Sequence, residues 1–238
     1  MAHIGIITYN YKHLKTEQVL SNLFSTGVNE DQYTLFALKF IYRSPRKELF
    51  SHRPNQFTGI ETSEMAKLYD IPFVECDSDN DILSDCDLYI ITGAGIISES
   101  CLQGKKIINC HAGIIPLTRG LDSFKWAIID GKPVGNTLHY IDKNVDEGNI
   151  IAVRQTPLYE DDTLSSFAER HYDEEIKMLS NYKYYLHHPH NDFTSVKRNK
   201  PYRRMPITIE QELKERFKKY KHQYAISYSA KSSSGFND

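Results

Sequence analysis

No apolar run in this chain approaches the ~18 residues that a helix needs to cross a bilayer, so no membrane-spanning segment is expected. Its first residues, Met-Ala-His-Ile-Gly-Ile-Ile-Thr, lack the basic flank, long apolar stretch and small-residue cleavage site of a signal peptide. They read as a first strand, and a cytoplasmic protein is expected. Neither charge sign is in excess: 29 Lys and Arg stand against 31 Asp and Glu, a formal charge of -2. No net field therefore draws the chain to nucleic acid or to anionic lipid. Cysteine is scarce, and Cys76, Cys86, Cys101 and Cys110 form no C-x-x-C pair. They lie in or beside apolar segments, which suits buried reduced thiols rather than disulfides or zinc ligands. No residue is assigned to a metal.

Against these absences stands a regular alternation of strand and helix patterns. Short apolar runs occur at Ile4 to Thr8, Thr34 to Ile41, Ile71 to Val74, Asp87 to Thr92 and Lys106 to Cys110, with helical spacing in Thr16 to Phe24 and Glu61 to Tyr69. Such alternation implies crossover connections and a mostly parallel sheet covered on both faces, an α/β Rossmann-like architecture. Two longer strands, Pro133 to Asp142 and Asn149 to Pro157, are expected at its far edge. Thr163 is placed to cap a long helix reaching Leu186. Residues 1–188 are expected to form the main domain. A small appendage follows over 189–226 with one helix around Ile209 to Tyr220, then a mobile tail over 227–238.

Two polar clusters are out of place in this apolar frame. In Ile107-Ile-Asn-Cys-His-Ala-Gly a buried strand ends in Asn109 and His111, which alternation points to one side while Cys110 points to the other. Open α/β sheets place chemistry at that end of a strand. An Asn–His hydrogen bond supporting the next loop would explain the pair equally well. In Gly135 to Ile151, Asp146 falls in a Gly-bounded loop between two strands; it either caps its own turn or folds back to meet His111.

The joint pattern N-x-H-x-x-x-x-P-x-x-x-G, then G-x-T-x-H-x-x-D-x-x-x-D-x-G-x-I-I, resembles the formyltransferases that use 10-formyltetrahydrofolate. The likeness runs from about Asp85 to Leu186 and includes Pro116, Gly120, Gly135, Thr137, His139, Asp142, Gly148 and Asp162. It implies a catalytic trio at Asn109, His111 and Asp146, with an amide to stabilise an oxyanion, an imidazole as base or donor, and a carboxylate to orient that imidazole. It also implies that the co-substrate's pterin meets the main chain at Gly95, Ile96 and Ile97 and the loop bearing Asp142 and Val145. A dimer is implied too. Read as a nucleotide cradle, Gly93-Ala-Gly lacks the third glycine and does not follow the first strand, which speaks against NAD.

Members of this family formylate methionyl-tRNA, glycinamide ribonucleotide or nucleotide-linked amino sugars. The tRNA enzymes carry a further basic domain; here about fifty residues follow the long helix and the net charge is negative. The glycinamide enzymes have a Gly-rich phosphate turn after the first strand, where this chain has Thr8-Tyr-Asn-Tyr-Lys12. A nucleotide sugar is therefore the expected acceptor, as in enzymes of surface polysaccharide synthesis. Tyr9, Asn10, Lys12 and Arg119 are its candidate ligands. Arg43-Ser-Pro-Arg-Lys47 reads as a solvated loop and His187-His-Pro-His190 as a surface turn. The residual alternatives are a glycinamide enzyme, a formyltetrahydrofolate hydrolase and a non-catalytic nucleotide-sugar binder.

Overall fold

The computed structural model describes residues 1–25, 30–42, 44, 47–144, 146–193 and 200–226 of the chain. Seven strands form one sheet in the order β3-β2-β1-β4-β5-β6-β7. They are β1 (His3–Tyr9), β2 (Gln32–Leu38), β3 (Phe73–Cys76), β4 (Leu88–Ile91), β5 (Ile107–His111), β6 (Gly135–Tyr140) and β7 (Ile150–Gln155). The first five run parallel, while β6 is antiparallel to β5 and β7 to β6. The expected architecture is thus present, with the two later strands at the far edge. The chain builds outward from β1 to β3 and then returns to add β4 on the other side. That reversal opens a crevice beyond the carboxyl ends of β1 and β4, where such sheets bind ligands.

The helices are α1 (Leu14–Phe24), α2 (Thr62–Leu68), α3 (Glu99–Leu102), α4 (Ser123–Ile129), α5 (Leu164–Ser180), α6 (Tyr182–His187), α7 (Ile207–Glu210) and α8 (Leu213–Tyr224). On one face of the sheet Ile4, Ile6, Ile90, Ile108 and Leu138 pack with Val19 and Leu20 of α1 and Ile176 and Leu179 of α5. On the other, Ile7, Tyr89, Ile91 and Ile107 pack with Cys101 of α3. The inner strands are apolar on both faces because both faces are covered, which explains their unbroken apolar runs. Among the described residues no helix is long and apolar enough to span a membrane.

The helix expected to reach Leu186 stops at Ser180. Asn181, with φ -99° and ψ 24°, leaves the helical conformation, Ser180 Oγ and Asn181 Nδ2 bond back to the carbonyls of Ile176 and Lys177, and the chain restarts as α6. The C-terminal part also differs from expectation, since its helix is two, α7 and α8, running on to Tyr224. Leu213, Phe217 and Tyr220 of α8 share one apolar core with Phe124 and Ile128 of α4, Val134, and Phe167 of α5. At about 2 kcal/mol per buried side chain, that contact holds 213–224 against the main sheet. His187, His188 and His190 lie on the surface, where the His190 N–H donates to Ile151 and its carbonyl accepts from Val153, covering part of the β7 edge. Arg43, Pro45 and Arg46 of the basic loop, and the tail 227–238, lie outside the described residues.

Candidate active site

Strand β5 puts Asn109 and His111 on one face, and its antiparallel pairing with β6 sets His139 opposite Asn109 and Thr137 opposite His111. Four polar side chains thus converge where the sheet changes from parallel to antiparallel. The loop after β5 is fixed by two hydroxyls. Thr137 Oγ1 donates to the Gly113 carbonyl (2.7 Å) and accepts from Ile115 N (3.0 Å), and Thr118 Oγ1 accepts from Ile114 N (3.1 Å). This folding brings the Thr118 carbonyl onto His111. Gly113 passes so close that a Cβ would lie 2.4 Å from that carbonyl oxygen and 2.6 Å from His111 Nε2. Only a residue without a side chain fits there.

His111 is 8% exposed. Its Nε2 carries the hydrogen, since it contacts the Thr118 carbonyl at 2.9 Å and a carbonyl can only accept. The same nitrogen lies 3.2 Å from Ser123 Oγ, which itself donates to the Gly120 carbonyl. His111 Nδ1 faces Asp146 Oδ1 at 3.4 Å. The loop carrying Asp146 does fold back over β5, and Asp146 takes a φ of 51°, in the left-handed region that Asp tolerates better than most residues. Two residues later a Cβ on Gly148 would overlap the Tyr140 carbonyl oxygen, at 1.6 Å. Asp146 Oδ2 accepts a hydrogen bond from the Gly120 N–H (2.8 Å).

His139 was part of the sequence pattern without a role. Its Nδ1 donates to the Tyr140 carbonyl, and its Nε2 lies 4.0 Å from Asp146 Oδ1 with no hydrogen-bond partner among the described residues. Burial, and next the neighbouring His111, push its pKa down to about 4 against the pull of Asp146, so it is neutral at pH 7. Asn109 is half-buried, and its amide makes no hydrogen bond to the described residues. It can give both N–H groups to a ligand. On the opposite face, full burial holds the Cys110 thiol protonated by raising its pKa.

The other expected residues lie at the ends of β1, β4, β5 and β6 or in the loops that follow them. Nothing lies within 4 Å of where a Cβ of Gly95 would be, and Ile96 is 89% exposed, so the backbone after β4 is open to a flat ligand. Ile97 and Ile141 pack against one apolar cluster, which sets that backbone and the 142–146 loop on the same side of the sheet. Asp142 is exposed and accepts from Asn144 N at 2.8 Å; Val145 lies outside the described residues. Arg119 is nearly buried and pairs with Glu147 at 2.6 Å. Asn10 is exposed and Lys12 half-buried. Tyr9 meets His13, Phe40 and Phe57 edge-on, while Tyr11 stacks on Phe40 at 4.6 Å and remains 37% exposed.

Beneath that aromatic surface lies a polar network that local sequence did not reveal. Thr16 Oγ1 joins Thr8, Thr92 and His13, tying the ends of β1 and β4 to the start of α1. Glu175, fully enclosed on α5, receives Lys15 at 2.6 Å and Arg53 at 2.7 Å. Among the described residues one group, His3, Asp85 and Cys86, has donor atoms close enough to share a cation. It sits at the amino ends of β1 and β4, away from the crevice, and both His3 nitrogens already contact Asp85 and Thr34.

Comparison with known proteins agrees with this geometry. Residues 86–182 match the family model described as formyl transferase. Over 92 residues the chain is 36% identical to the phosphoribosylglycinamide formyltransferase of Bacillus subtilis, covering 37% of this chain and 47% of that protein. Over 78 residues it is 36% identical to the dTDP-4-amino-4,6-dideoxyglucose formyltransferase of Mycobacterium tuberculosis, covering 33% of each. The chain therefore spans less than half the length of these curated relatives. Among solved structures, a sugar N-formyltransferase from a Shewanella species superposes with a TM-score of 0.58 at 18% identity, over 90% of this chain and 87% of that one. Glycinamide ribonucleotide transformylase 1 of Symbiobacterium toebii gives 0.56 at 20% identity, over 78% and 86%. The segment that brings Asn109, His111 and Asp146 together matches the formyl transferase family model, and the sheet that carries it has the fold of solved formyltransferases.

Proposed function

We propose that the protein transfers the formyl group of 10-formyltetrahydrofolate to the amine of a nucleotide-linked amino sugar. The observation that carries the proposal is the meeting of Asn109, His111 and Asp146 at one strand end, with Asp146 drawn in from a separate loop. In formyl transfer an amine attacks the formyl carbon, its oxygen takes up negative charge, and the bond to the folate nitrogen breaks as a proton moves there from the amine. Asn109 has an unused amide to donate to that oxygen, an interaction worth about 3 to 4 kcal/mol when held in place. His111 presents an N–H at Nε2 and gives up the Thr118 carbonyl to serve the same oxygen, while Asp146 stands 3.4 Å from Nδ1 on the other side of the ring. The exposed main chain at Gly95 to Ile97 suits the pterin.

For the acceptor, the support is the turn after β1. Tyr9 and Tyr11 gather with Phe40 and Phe57 into a partly exposed aromatic surface suited to stacking a nucleobase, where a glycine-rich phosphate turn would mark a glycinamide enzyme. A dimer in the cytoplasm, serving surface polysaccharide synthesis, belongs to the same proposal. To test it, the purified protein is mixed with 10-formyltetrahydrofolate and a panel of amino-sugar nucleotides, with glycinamide ribonucleotide in parallel, and products are read by mass spectrometry. An N-formyl sugar is expected. Formate alone would mark a hydrolase, formylglycinamide ribonucleotide the purine branch, and binding without turnover a non-catalytic protein.

A further inference from the structure

The catalytic carboxylate is held at a distance. Asp146 has few local means of fixing its side chain, being a single left-handed residue in a loop, and Oδ2 is oriented by the N–H of Gly120, 26 residues away in sequence. What matters for Asp146 is therefore what holds Gly120.

Gly120 is held by the C-terminal part of the chain. The Tyr202 N–H donates to the Arg119 carbonyl at 2.7 Å, and the Tyr202 carbonyl accepts from Leu121 N at 3.0 Å, so residue 202 brackets Gly120 like a strand partner. The fit leaves no space, since a Cβ on Gly120 would stand 2.3 Å from the Tyr202 oxygen, and its φ of 87° is one that other residues resist. Met205 N and Arg204 then bind the two oxygens of Asp122, at 2.8 and 3.1 Å. The Tyr202 ring stacks on Trp126 with centroids 5.0 Å apart, and Trp126 Nε1 donates to the Arg203 carbonyl. Arg119, next to Gly120, pairs with Glu147, next to Asp146. The two loops are thus fastened to each other, and the 119–122 loop is fastened to 202–205.

We infer that residues 202–205 are a positioning strap for the catalytic centre: they fix the Gly120 N–H, which aims the Asp146 carboxylate at His111. The inference rests on the proposed formyl transfer for its kinetic consequence but not for its structural one. Tyr202 is a positioning residue and touches neither substrate.

Two measurements test it on the full chain. Amide hydrogen exchange at Gly120 needs no substrate; in Tyr202→Ala it should quicken by about tenfold or more, while the amides of β1 keep their protection. In the transfer assay Tyr202→Ala should lower kcat by about 10- to 100-fold with KM for both substrates within about twofold, as expected for a misplaced catalytic group. Tyr202→Phe keeps the stack and the backbone bonds and should restore both values. Should Tyr202→Ala fail to fold, Arg204→Ala, whose side chain is 60% exposed, loosens Asp122 and is read the same way. Unchanged Gly120 exchange in these variants overturns the strap, and so does faster exchange with undiminished kcat. If the wild-type protein moves no formyl group, the functional reading fails while the exchange experiment still decides the strap.

Discussion

Lowering the pH from 7 to 5 should cost this protein most of its folding stability, because it encloses histidines that must stay neutral. His13, His139 and His171 are each held at a pKa of about 4, chiefly by burial, and His52 is also pushed well below its usual value. In the unfolded chain each returns to about 6.5. A depressed histidine pKa means the unfolded state binds more protons, so stability is complete above about pH 6.5 and drains away as pH falls toward 4. At pH 5 an unfolded imidazole is almost fully charged while its folded counterpart is mostly neutral, a difference of about 2 kcal/mol per group. His13, His139 and His171 together then remove about 5 to 6 kcal/mol, with His52 acting in the same direction, against a total of about 5 to 15 for a typical domain.

The assay is urea unfolding followed by circular dichroism at pH 7, 6 and 5. The midpoint should fall steeply, with uptake on unfolding near pH 5.5 of about two to three protons by His13, His139 and His171 and a further contribution from His52. Glu175, held at about 2 by Arg53 and Lys15, contributes in a separate window, since its stabilisation is lost only below about pH 4.5. His52 lies parallel to the Phe124 ring at 5.8 Å, so His52→Phe preserves the packing and should flatten the pH dependence. An unfolding free energy that changes by less than about 1 kcal/mol between pH 7 and 5 would refute the reasoning.

Three further outcomes follow from the same structure. Asn109→Ala should lower kcat by about 100- to 1,000-fold in the transfer assay and leave thermal unfolding nearly unchanged, because its amide bonds none of the described residues. Gly113→Ala forces a methyl group against His111 and the Thr118 carbonyl; we expect a stability loss of about 1 to 3 kcal/mol with a larger fractional loss of kcat, read from urea midpoints and turnover on one preparation. Glu175→Gln strands Lys15 and Arg53 without their shared carboxylate and should cost about 3 to 5 kcal/mol, lowering the melting temperature by roughly 6 to 20 °C.

How far such features can be read from sequence depends on whether their cause is local. The parallel sheet was legible because burial on both faces leaves apolar runs such as Leu88 to Ile91, a property of neighbouring residues. Asn109 and His111 were legible for the converse reason: polar residues two apart at the end of an apolar strand have no local excuse. Asp146 by itself was not, since a turn-forming Asp before Glu-Gly looks the same whether or not it reaches His111, and the family pattern alone joined them. The end of α5 escaped notice because apolar spacing runs on through Tyr182 and Leu186, while the break lies in the backbone of Asn181, which leaves no mark on that spacing.

The pairs that escaped entirely share one property, long sequence separation with ordinary composition. Lys15 and Glu175 sit 160 residues apart, each among other charged residues of an amphipathic helix, and nothing nearby says which charges are buried. The same holds for Tyr202 and Gly120. A glycine in a loop and a tyrosine in a polar tail carry no mark of their contact, yet a single backbone bond links that contact to Asp146. The domain boundary expected at 188 follows the change in composition there, while the hydrogen bonds between Tyr202 and the neighbours of Gly120 run across it. In this fold the candidate reacting groups are declared by local contradiction, and the groups proposed to aim them are hidden in local conformity.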